Sequence, residues 1–217
     1  MKKIVIISNE DSEENNGEIS LSNQFGLGEK LFDIPNLIST ISSLGNYQIN
    51  RIHHLQIEDI SKCCPDYVVL SGRFSRNALS KEEIADEYSG LIEWIKHTTI
   101  PTFGICMGHQ LICAAFGVDT IPLYSSEGEF GFTELKRIGA HPLTETLPAT
   151  FYCMEMHRCQ VTSVPEGFKL IASSEKCPVQ MIAHQKKPII STQFHPELTT
   201  DKYQDGLILL KRFFDIY

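Results

Sequence analysis

The chain has 217 residues, 42% of them hydrophobic and 21% charged, with a formal net charge of −8. That length and balance suit one large globular domain, residues 1–217, and exclude a disordered or fibrous chain. The net acidity argues against a general nucleic-acid or anionic-membrane partner.

Taken in order, the chain opens Met1-Lys2-Lys3-Ile4-Val5-Ile6-Ile7-Ser8. This apolar run is too short for a secretory core or a membrane span, so it predicts a β-strand over Lys3 to Ser8. Seven cysteines at scattered spacings predict free thiols in a reducing, cytoplasmic setting. Residues 9–30 are rich in Asn, Glu, Ser and Gly without periodicity, and read as an insertion loop, either a functional flap or a solvated one. Helical spacing of Ile34, Leu37, Ile38 and Ile41 predicts a helix from Asp33 to Leu44, stopped at Gly45. A strand over Tyr47–Leu55, a short helix or turn over Ile57–Lys62 and a buried strand over Asp66–Ser71 follow. Ser80-Lys81-Glu82-Glu83 is a capping box, and its helix carries Ile84, Tyr88, Leu91, Ile92 and Ile95 on one stripe to about His97.

Pro101 to Ile105 is the next apolar run, followed by helical character from Met107 to Phe116 and a stop at Gly117. Beyond Gly117 the chain reads as strands over Phe132–Ile138, Ala149–Met156, Phe168–Ser174, Val179–His184 and Ile189–His195, then a helix over Asp201–Ile216. Strands interleaved with helices predict an α/β fold around a largely parallel sheet.

Two places carry chemistry. Cys106 stands between a strand and a helix, with Gly104 two residues before it and Gly108 two after. This is the thiol version of a nucleophile elbow, where bulk at the flanking positions would crowd the turn. Unpaired N–H groups at the start of the following helix favour a thiolate and a developing oxyanion. Of 8 histidines, His195 differs from the rest: it ends a strand and is followed by Pro196 and Glu197. Pro196 stiffens that turn while Glu197 can orient and charge the imidazole.

Gly-Ile-Cys-Met-Gly-His-Gln at 104–110 and Phe-His-Pro-Glu at 194–197, in this order and separation, resemble the class I (triad-type) glutamine amidotransferases. The similarity is nearest to the glutaminase domain of GMP synthetase and its stand-alone relatives, and covers the chain from Asp33 onward. It implies a flavodoxin-like three-layer fold and a Cys106–His195–Glu197 triad. Backbone N–H groups of Gly72, Arg73 and Met107 would form the oxyanion hole. Gln110 would help bind glutamine, and Glu129, Phe130, Gly131, Met156 and His157 match further substrate-site motifs. No metal or organic cofactor is implied. The implied reaction is hydrolysis of the glutamine side-chain amide, with ammonia passed to a separate synthetase or amidoligase. A stand-alone γ-glutamyl hydrolase and a non-catalytic binding relative are the alternatives.

The chain departs from the family in three places. Its oxyanion turn reads Ser71-Gly72-Arg73-Phe74 where the family has two glycines and a proline, and a positive φ at Arg73 would be costly. Arg73 and Arg76 are either readers of a substrate carboxylate or phosphate, or plain solvated arginines. Cys159 stands where the family often has an acid, and Cys153, His157 and Cys159 lack the second ligand cluster of a metal site.

Overall fold

The computed structural model describes residues 1–10, 34–73, 79–122 and 128–217. Within them the chain runs β1 (Lys2–Ser8), α1 (Ile34–Leu44), β2 (Tyr47–His53), a 3-10 turn (His54–Gln56), α2 (Asp59–Cys63), β3 (Tyr67–Leu70), α3 (Lys81–Glu87), α4 (Ser89–His97), β4 (Thr102–Ile105) and α5 (Met107–Ala115). The second half holds β5 (Thr120–Pro122), β6 (Glu129–Arg137), β7 (Thr150–His157), β8 (Cys159–Val161), β9 (Phe168–Ser173), β10 (Met181–His184), β11 (Ile189–Thr192) and α6 (Asp205–Ile216). No helix is long and apolar enough to cross a membrane among the described residues.

The main sheet has the order β2-β1-β3-β4-β11-β10-β9-β6-β7. From β2 to β11 neighbours are parallel, and from β11 to β7 they are antiparallel. The strand alternation explains the layering. In β1, Ile4 and Ile6 face one core with Phe103, Ile105, Leu37 and Ile41 of α1, and Leu209 and Phe213 of α6. Val5 and Ile7 face the other, with Leu70 of β3 and with Ile84, Leu91, Ile95 and Leu111 from α3, α4 and α5. Both faces are therefore covered, as continuous apolar strands in a parallel sheet require. Each such buried side chain contributes about 1.5–3 kcal/mol. The three-layer α/β fold with a mixed sheet expected from the sequence is the fold observed, the main sheet holding four parallel and four antiparallel neighbour pairs among the described residues.

Local differences have local causes. The stripe from Ile84 to Ile95 belongs to two helices, because the chain breaks at Tyr88 (φ −108°, ψ 14°). Tyr88 is held there by Arg73, whose Nη1 donates to the Tyr88 hydroxyl at 2.7 Å, and by His54 stacked at 4.4 Å. Strand β2 stops at His53, whose ring caps the 3-10 turn by accepting from Leu55 N. Strand β6 begins at Glu129 rather than Phe132, since its pairing with β7 runs from Glu129↔His157 to Lys136↔Thr150. The short antiparallel pair β5–β8 escaped the pattern reading, as three residues are too few to show a period. Helix α6 starts at Asp205, after a turn in which Thr200 and Tyr203 exchange backbone hydrogen bonds.

The insertion boundary also moves. Asn9 and Glu10 are buried parts of the folded body: Asn9 N donates to Ser71 Oγ at 3.1 Å and Asn9 Nδ2 to Ser71 O at 2.6 Å. The rest of the 9–30 segment lies outside the described residues, as do Phe74 and Arg76.

Candidate active site

β3, β4 and β11 are adjacent and parallel, so their C-terminal ends open on one edge. The central strand of the three, β4, leads directly into Cys106, between the Ser71-Gly72 exit of β3 and the His195 segment that follows β11. Cys106 has φ 50° and ψ −101°, a left-handed conformation that costs a non-glycine residue about 1–3 kcal/mol. The surroundings hold it there: Cys106 N donates to Thr192 O at 2.8 Å, and Gln110 N to Cys106 O at 3.1 Å. The flanking glycines are required by close packing. A Cβ on Gly104 would lie 2.7 Å from Gly108 O, and one on Gly108 would lie 2.6 Å from Leu70 O. Any side chain at either place would push α5 off the sheet and move the thiol.

His195 is fully buried. Its backbone N–H crosses to Met154 O of β7 at 2.8 Å, which is why β11 ends early and the chain turns. Its Nδ1 lies 2.7 Å from Glu197 Oε1. Glu197 is fixed in turn through its own carbonyl, which accepts from Thr40 Oγ1 at 3.2 Å. The N-terminal turn of α6 presses against the intervening residue, where a Cβ on Gly206 would meet Pro196 O at 2.5 Å. Burial by itself would push the His195 imidazole down. The charges of Glu197 and Cys106, and the hydrogen bond to Glu197, reverse this and carry it up to about 10. His195 is thus hydrogen-bonded to Glu197 and electrostatically coupled to Cys106, and both interactions favour the charged ring.

At the end of β3, Ser71 O accepts from Gly108 N at 3.2 Å, tying that turn to the first turn of α5. The cost anticipated at Arg73 does not arise. Among the described residues other than glycine, positive φ occurs at Cys64 and Cys106 only. Nor is Arg73 a solvated arginine or a reader of a free anion. Its side chain is buried, donating to the Tyr88 hydroxyl and paired with Glu87 at 3.2 Å. Arg73 therefore anchors this turn through its guanidinium. Met107 is the first residue of α5, where backbone N–H groups have no partner within the helix.

A second buried cluster lies at the paired ends of β6 and β7. His157 Nε2 is 3.1 Å from Glu129 Oε2 and 3.0 Å from Glu155 Oε2, while Nδ1 is 2.9 Å from Cys159 O. Glu129 also accepts from Ser174 Oγ at 2.8 Å and Gln180 Nε2 at 2.9 Å. Burial alone would push His157 down, but its bonds to Glu129 and Glu155 raise it to about 10. Burial pushes Glu155 up to about 7, against the pull of His157. Glu129, Glu155 and His157 offer ligand atoms within 4.8 Å of one another. Both ring nitrogens face acceptors, however, which fits an imidazolium donating two protons. Cys159 meets this histidine through its carbonyl. Nearby, Phe130 is partly exposed under the Arg158 guanidinium, Gly131 has φ 94°, and Met156 packs against Met154 and Leu198.

The structure also brings in residues that the motifs passed over. Gln193 is fully buried, with its Nε2 3.5 Å from Cys106 Sγ and its Oε1 accepting from Gln110 Nε2 at 3.2 Å. The available signal was its place two residues before His195, on the segment that carries the base. Asn9, bound to Ser71, had none. His109, in the helix after the elbow, is fully buried with Nδ1 2.8 Å from Ser191 Oγ.

The family model described as "Glutamine amidotransferase class-I" matches residues 34–215. Among curated relatives, the chain is 31% identical over 156 residues to the glutamine-hydrolyzing GMP synthase subunit of Methanopyrus kandleri, covering 72% of this chain and 78% of that one. It is 32% identical over 165 residues to the protein of the same name in Methanobrevibacter smithii, covering 75% and 78%. Among solved structures, a Thermoplasma acidophilum protein provisionally assigned as the same GMP synthase component superposes with a TM-score of 0.76 at 25% identity, over 100% of this chain and 94% of that one. A glutamine amidotransferase from Thermotoga maritima shares the fold, with a TM-score of 0.70 at 15% identity over 99% and 97%.

Proposed function

The chain belongs to the class-I glutamine amidotransferase family, and from that premise we propose that Cys106, His195 and Glu197 are its catalytic residues. The activity is hydrolysis of the glutamine side-chain amide, which supplies ammonia to a synthetase. The curated relatives are named as glutamine-hydrolysing synthase components, so neither a γ-glutamyl peptidase nor a non-catalytic reading is needed. The observation that supports the residue assignment is the buried His195 ring, 2.7 Å from Glu197 at Nδ1 and held charged by the charges of both Glu197 and Cys106.

In this reading the Cys106 thiolate attacks the side-chain amide carbon of glutamine, and the carbonyl oxygen takes the negative charge. Backbone N–H groups of Met107 and the Gly72–Arg73 turn bind that oxyanion, each donor worth about 10²–10³ in rate. The imidazolium of His195 gives its proton to the departing amide nitrogen, and ammonia leaves as the γ-glutamyl thioester forms. The neutral ring then takes a proton from water, whose oxygen attacks the thioester carbon. Collapse breaks the C–S bond, freeing glutamate and restoring the thiolate. Glu197 holds the ring in the orientation that both steps need. Gln110, Glu129, Phe130, Gly131, Met156 and His157 are proposed to shape the glutamine site, directly or by holding its walls. Ammonia passes to a synthetase on another chain, of the kind that the relatives' name implies.

The test is glutamate release from glutamine, with a γ-glutamyl peptide as comparison and Cys106→Ala as blank. Expected are preference for glutamine, a γ-glutamyl adduct on Cys106 by mass spectrometry, and loss of at least about 10⁴-fold in Cys106→Ala. Full activity in that variant would overturn the assignment.

A further inference from the structure

We propose that Gln193 is a further catalytic residue, whose side-chain amide donates a hydrogen bond to the Cys106 sulfur and holds it as the thiolate. The inference rests on Cys106 being the nucleophile, and adds a group that the triad does not contain. Gln193 Nε2 lies 3.5 Å from Cys106 Sγ, in the range of an N–H···S contact, and no part of Gln193 reaches solvent. An amide can present either its N–H₂ or its oxygen, and only the N–H₂ suits a thiolate. Gln110 decides which: its Nε2 donates to Gln193 Oε1 at 3.2 Å, so the oxygen is taken up on the helix side and the N–H₂ points to the sulfur. The backbone fixes the rest, since Gln193 N donates to Gln180 O at 2.8 Å. The preceding residue, Thr192, accepts from Cys106 N, and His195 lies two residues on. One short segment therefore grips the nucleophile at its backbone, at its sulfur and through its base. A donor to a charged acceptor in a dry site is stronger than a neutral hydrogen bond. Gln110 acts in this scheme as a positioning residue for Gln193.

The experiment is the pH dependence of Cys106 alkylation by iodoacetamide, read by mass spectrometry at that residue in the full chain, with glutamine turnover measured alongside. Gln193→Met keeps the volume but loses the donor. Its alkylation midpoint should rise by about one pH unit, with turnover falling about tenfold at little change in KM. Gln193→Glu, which sets an acceptor against the sulfur, should move the midpoint further. Gln110→Met leaves Gln193 in place and should move it in the same direction by less, which keeps the proposal open to refutation if a change at 193 does not fold. If the midpoints of folded Gln193→Met and of Gln110→Met coincide with that of the unaltered protein, Gln193 only fills space and the proposal fails. Failure of the nucleophile assignment looks different: Cys106→Ala would keep its activity whatever happens at 193.

Discussion

Two buried histidines in this protein are raised to about 10 by carboxylates, yet they have different neighbours. His195 has Nδ1 against Glu197, and the charge of Cys106 adds to the pull on its ring. His157 has Glu129 and Glu155 at Nε2 and the Cys159 carbonyl at Nδ1. Both are charged at neutral pH for the same reason, carboxylates overcoming desolvation. The charge of Cys106 acts on both rings, but at His157 it ranks behind the two carboxylates. His157 is held on both sides by groups that only accept, which makes it a clamp between the ends of β6 and β7. A displaced pKa in a buried site thus identifies a charged group without saying what the charge is for.

The contrast can be broken by mutation. The largest effect is expected from His195→Gln, which removes the base and acid while keeping an N–H for Glu197. Glutamine turnover should drop by about 10⁴-fold, with a much smaller change in urea unfolding. Glu129→Gln should behave the other way round. It leaves the His157 charge with one carboxylate and disturbs the acceptor for Ser174 and Gln180. A loss of about 3–5 kcal/mol in unfolding free energy is expected, with KM for glutamine raised through the disturbed site wall and kcat per folded molecule far less affected. Should turnover collapse in the folded variant, the clamp would have to be counted as part of the catalytic apparatus.

The smallest effect sharpens the comparison through pH. Glu155 is raised from 4.5 to about 7, so the folded chain keeps a proton there that the unfolded chain has released. Stability is therefore lost as pH climbs from about 4.5 through about 7. Glutamine cannot ionise, so in Glu155→Gln this decline should be shallower, as read from denaturant midpoints across that window. An unchanged slope would mean that Glu155 ionises freely in the folded state.

The amino-acid sequence by itself determined the α/β class, the elbow at Cys106 and the importance of the His195-Pro196-Glu197 turn. Those features are local: a period of 3.6 or 2, glycines two residues either side of a cysteine, and a carboxylate two residues from an imidazole are all written within short segments. The tertiary structure alone decided that Arg73 is buried against Glu87 and Tyr88, so that its turn needs no glycine conformation. It also decided that the helix after Ser80 breaks at Tyr88, and that Asn9 binds Ser71. The pairing of Gln193 with Gln110 and Cys106 belongs to the same class. Each depends on partners far apart in the chain, as with Gln110 and Gln193, 83 residues apart. A side chain's chemistry is set by the groups that surround it, and for contacts at that range only the packed sheet brings those groups together.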